Sequence, residues 1–354
     1  MTYKVIQWGT GNVGKHALRA ILDRRDIELV GLKVYSDDKV GKDAGELVGG
    51  KPVGIKAIKD VDEILKIGAD CVIYNALGMT LGDIEASVDD ICMLLSRGYD
   101  VISSAIEQAV FPPSLASHVL MRLEEACEKG QSSFLATGIN PGFAMDLWPI
   151  QMSRLSRRID SISTIEVCNM RAYGSANIMA YMGFGKKVAE MGDRDGRSDR
   201  PSDSPFHSSM LMVADALRFE LTGFRSEHFY GVTDKPLDVK VGRIEAGTIA
   251  VVKMRYVGEA YGRDVLINEW VWRVTDDVHP EWGIGEFWAI DIAGDPAIKS
   301  RIEASTKMDS GRIVSITVAT TAVNLIPALC ASSPGVKSVM DLMPCGGGTV
   351  ALTV

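Results

Sequence analysis

The chain has 354 residues, 46% hydrophobic and 24% charged, and a formal net charge of −8 at pH 7. This length suits two domains of ordinary globular composition, and the negative charge argues against nucleic acid or an anionic membrane as the main partner. No apolar run approaches the ~20 residues of a membrane helix, and the chain enters its first strand without a signal-like segment. The six scattered cysteines form no C-x-x-C pair, so we expect free thiols, no metal site and a cytoplasmic protein.

The first ~140 residues alternate short apolar strands with amphipathic helices. Strands are predicted over 3–8, 27–35, 69–77, 100–105 and 132–138, and helices over 13–24, 82–97 and 114–129. Alternation of this length is typical of an α/β fold with a doubly wound parallel sheet.

The second part of the chain has longer alternating runs. Over 236–260 and 264–274 they predict a mostly antiparallel sheet with one covered face. We further expect helices over 144–157, 208–221 and 311–335, a strand over 161–173 and a polar loop over 193–205, which is either a lid or a disordered insertion. The chain thus divides into a dinucleotide-binding domain, 1–142 plus about 312–354, and a substrate and dimerisation domain, 143–311.

Residues 9–14 read GTGNVG and stand between the first strand and the first helix. Glycines at this spacing allow a tight turn, a close backbone approach to a pyrophosphate and close packing of helix on strand. The motif predicts that a dinucleotide contacts Gly9, Thr10, Gly11, Asn12, Val13 and Gly14.

The end of the second strand leaves the choice between NAD and NADP open. Ser36 and Lys39 suit a 2′-phosphate, whereas Asp37 suits a ribose diol. We expect NADP or NAD, with a slight lean to NADP.

Ligands of an open parallel sheet bind beyond the carboxyl ends of its strands. Glu107 follows the fourth strand and therefore points to the expected position of the nicotinamide, although a loop glutamate facing water is an equally good reading of the sequence. Further candidate cofactor contacts at the strand ends and on the returning helix are Ala76, Leu77, Ser104, Asn140, Pro141 and Asn324.

Five segments resemble one known family: GTGNVG, KVGKDAGEL (39–47), SSAIEQAVFP (103–112), GINPGFAMDLWP (138–149) and AVNLIPALCASSPG (322–335). Together they resemble the amine dehydrogenase branch of the dihydrodipicolinate reductase-like superfamily, which includes 2,4-diaminopentanoate dehydrogenase. The resemblance implies a Rossmann domain plus an α/β domain with an open sheet, and a homodimer. It also implies that Glu107 is the catalytic acid/base, that Phe143 and Trp148 line the substrate pocket and, more weakly, that Tyr173 does.

One departure from the superfamily concerns its histidines. True dihydrodipicolinate reductases carry paired histidines and a lysine, but the matching region, 166–186, has no histidine. We therefore do not expect reduction of dihydrodipicolinate.

The preferred function is reversible, NAD(P)-dependent oxidative deamination of a primary amine, in which a carboxylate holds the ammonium and takes a proton from the attacking water. Two alternatives stay open: a diamino acid dehydrogenase, with Arg171 on the substrate carboxylate, or a dinucleotide-binding regulatory protein without turnover. Weaker candidates for the pocket are Tyr181, Thr320 and Thr321. Four tryptophans form either a sheet-mediated dimer face or one covered sheet face: Trp270, Trp272, Trp282 and Trp288.

Overall fold

A computed structural model of the protein describes residues 2–76, 84–198, 205–306 and 313–348. The chain divides into two compact units. The first comprises Met1–Gly142 and Ser315–Val354, and the second comprises Phe143–Val314.

The first unit is built on a seven-stranded sheet in which all paired strands are parallel. Its strands are β1 (Tyr3–Trp8), β2 (Ile27–Lys33), β3 (Ala57–Ile58), β4 (Cys71–Tyr74), β5 (Asp100–Ser103), β6 (Ser133–Ala136) and β16 (Gly335–Lys337). The spatial order is β16-β6-β5-β4-β1-β2-β3. Within it, 3-2-1-4-5-6 is the strand order of a Rossmann fold, whose ligands bind where the strand order reverses.

The helices of this unit are α1 (Asn12–Asp23), α2 (Ala44–Leu47), α3 (Val61–Ile64), α4 (Ile84–Leu95), α5 (Ser117–Gly130), α9 (Ile313–Asn324) and α10 (Ile326–Cys330). Apolar spacing explains α1, which buries Ala17, Leu18 and Ile21 on one face. Short 3-10 helices span Asp37–Lys39, Glu107–Val110 and Pro112–Ser114.

The segment KVGKDAGEL, which contains α2, is folded around Asp43, which is 1% exposed. The Asp43 carboxylate accepts hydrogen bonds from the backbone N–H groups of Gly45, Val53 and Gly54, each at 2.9 Å. These bonds hold the pKa of Asp43 below its usual value. Directly after this segment, the carbonyl of Val48 accepts hydrogen bonds from the Arg19 guanidinium of α1. The end of the segment is therefore bonded to α1.

The second unit is built on a mixed seven-stranded sheet. Its strands are β7 (Arg158–Asn169), β8 (Gly196–Ser198), β9 (Gly223–Val232), β12 (Ile249–Ala260), β13 (Arg263–Arg273), β14 (Phe287–Asp295) and β15 (Ile298–Glu303), in the order β15-β14-β7-β13-β12-β9-β8. Among the described strands of this sheet, β7 and β13 pair in parallel and the other pairs are antiparallel. A separate hairpin joins β10 (Leu237–Val239) to β11 (Gly242–Ile244). The helices are α6 (Leu147–Ser153), α7 (Ala176–Met182) and α8 (Pro205–Leu217).

The two faces of this sheet differ. One packs against α6, α7 and α8 through a core that includes Trp270, Met254 and six buried methionines in all. The other, which we call the open face, carries a small apolar cluster around Val271 and Phe287. Trp270, Trp272 and Trp288 lie on the helix side, whereas Trp282 packs on the open face. The four tryptophans therefore form neither a common dimer face nor one covered face.

Several predicted elements were wrong in detail. The run over 236–260 contains three strands, β10 to β12, and β3 and β16 were not predicted. The single helix over 311–335 is instead α9 and α10 followed by β16. Of the loop over 193–205, residues 196–198 form β8, and 199–204 lie outside the described residues.

The expectation that no apolar run approaches membrane length was also wrong. Ile313–Cys330 has 18 residues with a mean hydropathy of 1.9, which meets the length and composition of a membrane span. A buried helix of a globular core has the same properties. Five of its side chains, Ala319, Ala322, Val323, Ile326 and Leu329, are at most 1% exposed, and α10 packs against β5 and β6.

Candidate active site

The three glycines of the first turn have different environments. Gly9 has a φ of +94°, and a Cβ there would lie 2.5 Å from the carbonyl oxygen of Asn75. A Cβ on Gly14 would lie 2.3 Å from the carbonyl oxygen of Gly9, whereas a Cβ on Gly11 would meet no protein atom within 4 Å. The first and third glycines thus close the turn, and the second leaves space above the start of α1.

This geometry fits the pyrophosphate of a dinucleotide. Gly11 is the N-cap of α1 and has no side chain to cap the helix. The first N–H groups of a helix have no partner within it, and the helix dipole favours an anion at this end. Asn12 and Val13 are the first residues of this helix. Their backbone N–H groups therefore lie at the end of the helix that favours an anion.

The loop after β2 is joined to this turn by Lys39. Its ammonium donates to the hydroxyl of Thr10 at 3.1 Å and to the Thr10 carbonyl at 3.3 Å. Ser36 is exposed at the start of the same 3-10 helix, and Asp37 forms a 2.7 Å ion pair with Lys59. The structure therefore brings Lys39, one of the two predicted 2′-phosphate residues, to the glycine turn and gives Asp37 a cationic partner.

A buried hydrogen-bond relay that was not predicted connects three strand ends. Gln7, which is fully buried, donates through Nε2 to the carbonyl of Gly9 at 2.8 Å and to Oδ1 of Asn75 at 3.0 Å. Nδ2 of Asn75 in turn donates to the hydroxyl of Ser104 at 2.8 Å. Because Ser104 accepts this bond, its own proton is available to an acceptor elsewhere. The sequence signal was a glutamine within the apolar strand VIQW.

Glu107 begins the 3-10 helix Glu107–Val110, which lies against β6. Its side chain is half-buried, and among the described residues none forms an ion pair or a hydrogen bond with its carboxylate. Burial alone raises the pKa of Glu107 from 4.5 to about 7. A carboxyl group with this pKa can both accept and release a proton near neutral pH.

The loop after β6 is tightly folded. Gly142 has a φ of +120°, and a Cβ there would lie 2.5 Å from the amide nitrogen of Gly138. The peptide bond between Asn140 and Pro141 is cis. These two predicted cofactor residues lie beyond the carboxyl end of β6, next in the sheet to β5.

The aromatic residues predicted for the pocket lie in the second unit. Trp148 is buried on α6, its amide donates to the carbonyl of Phe143, and Tyr173 packs against the core on the helix side of the sheet. Tyr181 is 51% exposed and faces Arg194. Arg171 is exposed and donates through Nε to the carbonyl of Asp238.

The predicted residues of the returning helix, Thr320, Thr321 and Asn324, form hydrogen bonds within the first unit. The hydroxyls of Thr320 and Thr321 donate to carbonyls of their own helix, as helical threonines commonly do. Asn324 accepts from Arg24 at 2.7 Å and from the amide of Gly348. Arg24 follows the last turn of the 12-residue α1, so Asn324 lies ~18 Å from the glycine turn. Ala76 adjoins Gly9, and Leu77 lies outside the described residues.

Residues 143–348 match the family described as the 2,4-diaminopentanoate dehydrogenase C-terminal domain. The chain belongs to this family. The predicted resemblance is therefore confirmed.

Two relatives that match almost the whole chain are both named as dehydrogenases. The chain is 28% identical over 356 residues to an amine dehydrogenase of Streptomyces virginiae, covering 95% of both chains. It is 26% identical over 348 residues to a 2,4-diaminopentanoate dehydrogenase of Acetoanaerobium sticklandii, covering 96% of this chain and 93% of the relative.

The solved structure of an amine dehydrogenase from Mycobacterium smegmatis superposes with a TM-score of 0.80 at 18% identity, over 98% of this chain and 97% of that one. This likeness confirms the predicted fold class, a Rossmann sheet plus a mostly antiparallel second sheet.

Proposed function

We propose that this member of the 2,4-diaminopentanoate dehydrogenase family catalyses the reversible NAD(P)-dependent oxidative deamination of a primary amine, and in reverse the reductive amination of a ketone or aldehyde with ammonia. The observation that carries this proposal is Glu107, a desolvated carboxyl group with a pKa of about 7 at the carboxyl edge of a dinucleotide-binding sheet. The names of the two full-length relatives support it.

The glycine turn, Thr10 and Lys39 would hold the phosphates, and Ser104 would donate a hydrogen bond on the nicotinamide side. A bound nicotinamide would supply the hydride acceptor for oxidation of the carbon that bears the amine, and the hydride donor in the reverse direction.

Glu107 has a different task in each direction. In deamination its carboxylate takes a proton from the water that attacks the iminium carbon, so that the C–O bond forms before ammonia leaves. In amination the protonated carboxyl gives that proton to the departing hydroxyl, and water leaves. A pKa near the working pH keeps both protonation states populated.

We infer a preference for NADP from the charges around the second strand. Lys39 lies at the glycine turn, and Lys59 balances the charge of Asp37, the carboxylate that would bind a ribose diol. Lys39→Met is expected to raise the Kd for NADP more than the Kd for NAD.

A second candidate is a diamino acid dehydrogenase, favoured by the family description and by the relative from A. sticklandii. Arg171 would then bind the substrate carboxylate. In that case Arg171→Ala would raise the KM of a diamino acid and leave the KM of alkyl amines unchanged.

We also propose a homodimer formed through the open face. This face and its end carry side chains of both charges, so a second copy related by a two-fold axis can place opposite charges against them. They include Arg197, Arg225, Lys253, Arg255, Glu227, Glu259, Asp264 and Glu269. Light scattering should give twice the mass of one chain, and Phe229→Glu, at a 41% exposed position on this face, should give the mass of one.

We infer a cytoplasmic location, with small molecules rather than nucleic acid or membrane as partners. All six cysteines are free, which suits a reducing compartment. Fractionation of the source cells would test the location.

The activity itself is tested with ketones and aldehydes plus ammonia, with NADPH and NADH in parallel and oxidation followed by absorbance. Short alkyl amines, cyclohexylamine and diamino acids with NADP and NAD test the reverse direction. We expect turnover that needs both the carbonyl compound and ammonia. Tight dinucleotide binding without turnover of any amine or ketone would instead support a regulatory protein.

A further inference from the structure

An exposed aromatic ring stands at the end of β2, outside the residues assigned above. Tyr35 follows the strand by two positions and directly precedes Ser36, and half of its surface is exposed. It belongs to a cluster of otherwise buried polar and aromatic groups at the carboxyl edge of the first sheet.

Two contacts hold this ring in place. Nε1 of Trp8 donates to the Tyr35 hydroxyl at 2.9 Å, and the ammonium of Lys33 lies over the ring, 4.4 Å from its centroid. The Trp8 ring itself is 1% exposed, so the hydroxyl end of Tyr35 is anchored in the core. The remaining surface of the ring stays accessible.

Lys33, whose ammonium lies over the Tyr35 ring, is itself buried. It is 3% exposed, and its ammonium donates to the carbonyl of Val34. Burial lowers the pKa of Lys33, while the charge of Asp90, itself hydrogen-bonded to Tyr74, acts to raise it. Burying a lysine costs desolvation free energy. A tyrosine that only packed on the surface would not need a buried ammonium group over its ring.

The position of the ring relates it to the cofactor. The amide of Gly9 donates to the carbonyl of Lys33 at 2.9 Å, so the strand that carries the ring is bonded directly to the glycine turn. In an open parallel sheet the end of the second strand takes the adenosine half of a dinucleotide.

We propose that Tyr35 is the platform on which the adenine ring of the dinucleotide stacks, with Trp8 and Lys33 as positioning residues. The inference rests on the proposed use of a dinucleotide but not on amine turnover. A ring anchored at its hydroxyl loses little rotational freedom on binding, which favours stacking. Because stacking involves the base alone, NAD and NADP should depend on Tyr35 equally, unlike on Lys39.

The test measures Kd for NADP, NAD and nicotinamide mononucleotide, which lacks the adenosine half, in the wild type and in Tyr35→Leu. Stacking predicts that both dinucleotides bind ~10-fold more weakly or worse, by the same factor, while binding of the mononucleotide is unchanged. Tyr261→Leu, at a 77% exposed position in the second unit, is the matched control and should bind all three like the wild type.

Two results would overturn the inference. A Kd for the dinucleotides within twofold of the wild type would remove Tyr35 from the site. Equal weakening of the mononucleotide would show a purely structural role.

A second variant, Tyr35→Trp, covers the case in which the leucine variant fails to fold. Adenosine monophosphate should quench its additional indole fluorescence, and nicotinamide mononucleotide should not; no quenching by adenosine monophosphate refutes stacking. Neither experiment needs amine turnover, so a protein that binds dinucleotides but converts no amine would contradict only the proposed function.

Discussion

The raised pKa of Glu107 predicts that one substitution stabilises the protein and inactivates it. Between pH 4.5 and about 7 the carboxyl is protonated in the folded chain but ionised in the unfolded chain. The free energy of unfolding therefore falls as pH rises through this window, and the whole decrease is present above about pH 7. Moving this pKa from 4.5 to about 7 corresponds to about 3 kcal/mol.

Glu107→Gln keeps the shape of the side chain and removes its charge. At pH 8 we expect the variant to be more stable than the wild type by up to ~3 kcal/mol, or roughly 6–12 °C in Tm. At pH 4.5 the two proteins should unfold alike. Turnover should fall by ~10²–10⁴. Thermal unfolding from pH 4.5 to 8.5 and steady-state rates on the same samples give both quantities.

A second glutamate provides the control. Burial also raises the pKa of Glu286 in the second unit to about 7, so Glu286→Gln should likewise stabilise the protein at high pH, but with less effect on turnover than Glu107→Gln. The reasoning fails if Glu107→Gln leaves turnover within about tenfold of the wild type, or if its stability has the same pH dependence as that of the wild type.

Three further predictions concern the first unit. A Cβ on Gly11 meets no protein atom, so Gly11→Ala should keep the wild-type Tm yet raise the dinucleotide Kd, whereas Gly14→Ala, which clashes with backbone, should lower the Tm as well. Asn75→Leu breaks the bond that orients Ser104, so kcat should fall more than dinucleotide affinity does, with partial recovery in Asn75→Gln. Asn324→Ala should lower the Tm by removing one of the hydrogen bonds of Arg24 but leave the dinucleotide Kd unchanged.

The fold class could be predicted because long apolar periodicities survive in the sequence. The glycine turn and the alternation of strands and helices are local patterns, and both have the expected architecture around them. Strands of two or three residues, such as β3 and β16, carry no periodicity and were missed. The break between α9 and α10, after Asn324, was missed because the apolar helical pattern of the sequence continues across it.

Within the candidate site, the glycine turn could be predicted because its motif specifies a backbone conformation. Asn324 lies beside Arg24 rather than at the glycine turn, because membership of a helix does not tell which end of it approaches a ligand. The relay through Gln7 and the support of Tyr35 by Lys33 join residues from different strands, so only the folded sheet brings them together. The pKa of Glu107 depends on tertiary burial, which its local sequence does not encode.

The central claim is that nitrogen is added to a carbonyl carbon with the help of Glu107. The most direct measurement supplies isotopically labelled ammonia, a ketone and reduced dinucleotide, and compares labelled amine formed with dinucleotide oxidised. We expect one labelled amine for each dinucleotide oxidised, and loss of both in Glu107→Gln. Oxidation of the dinucleotide that yields the alcohol without labelled nitrogen would contradict it.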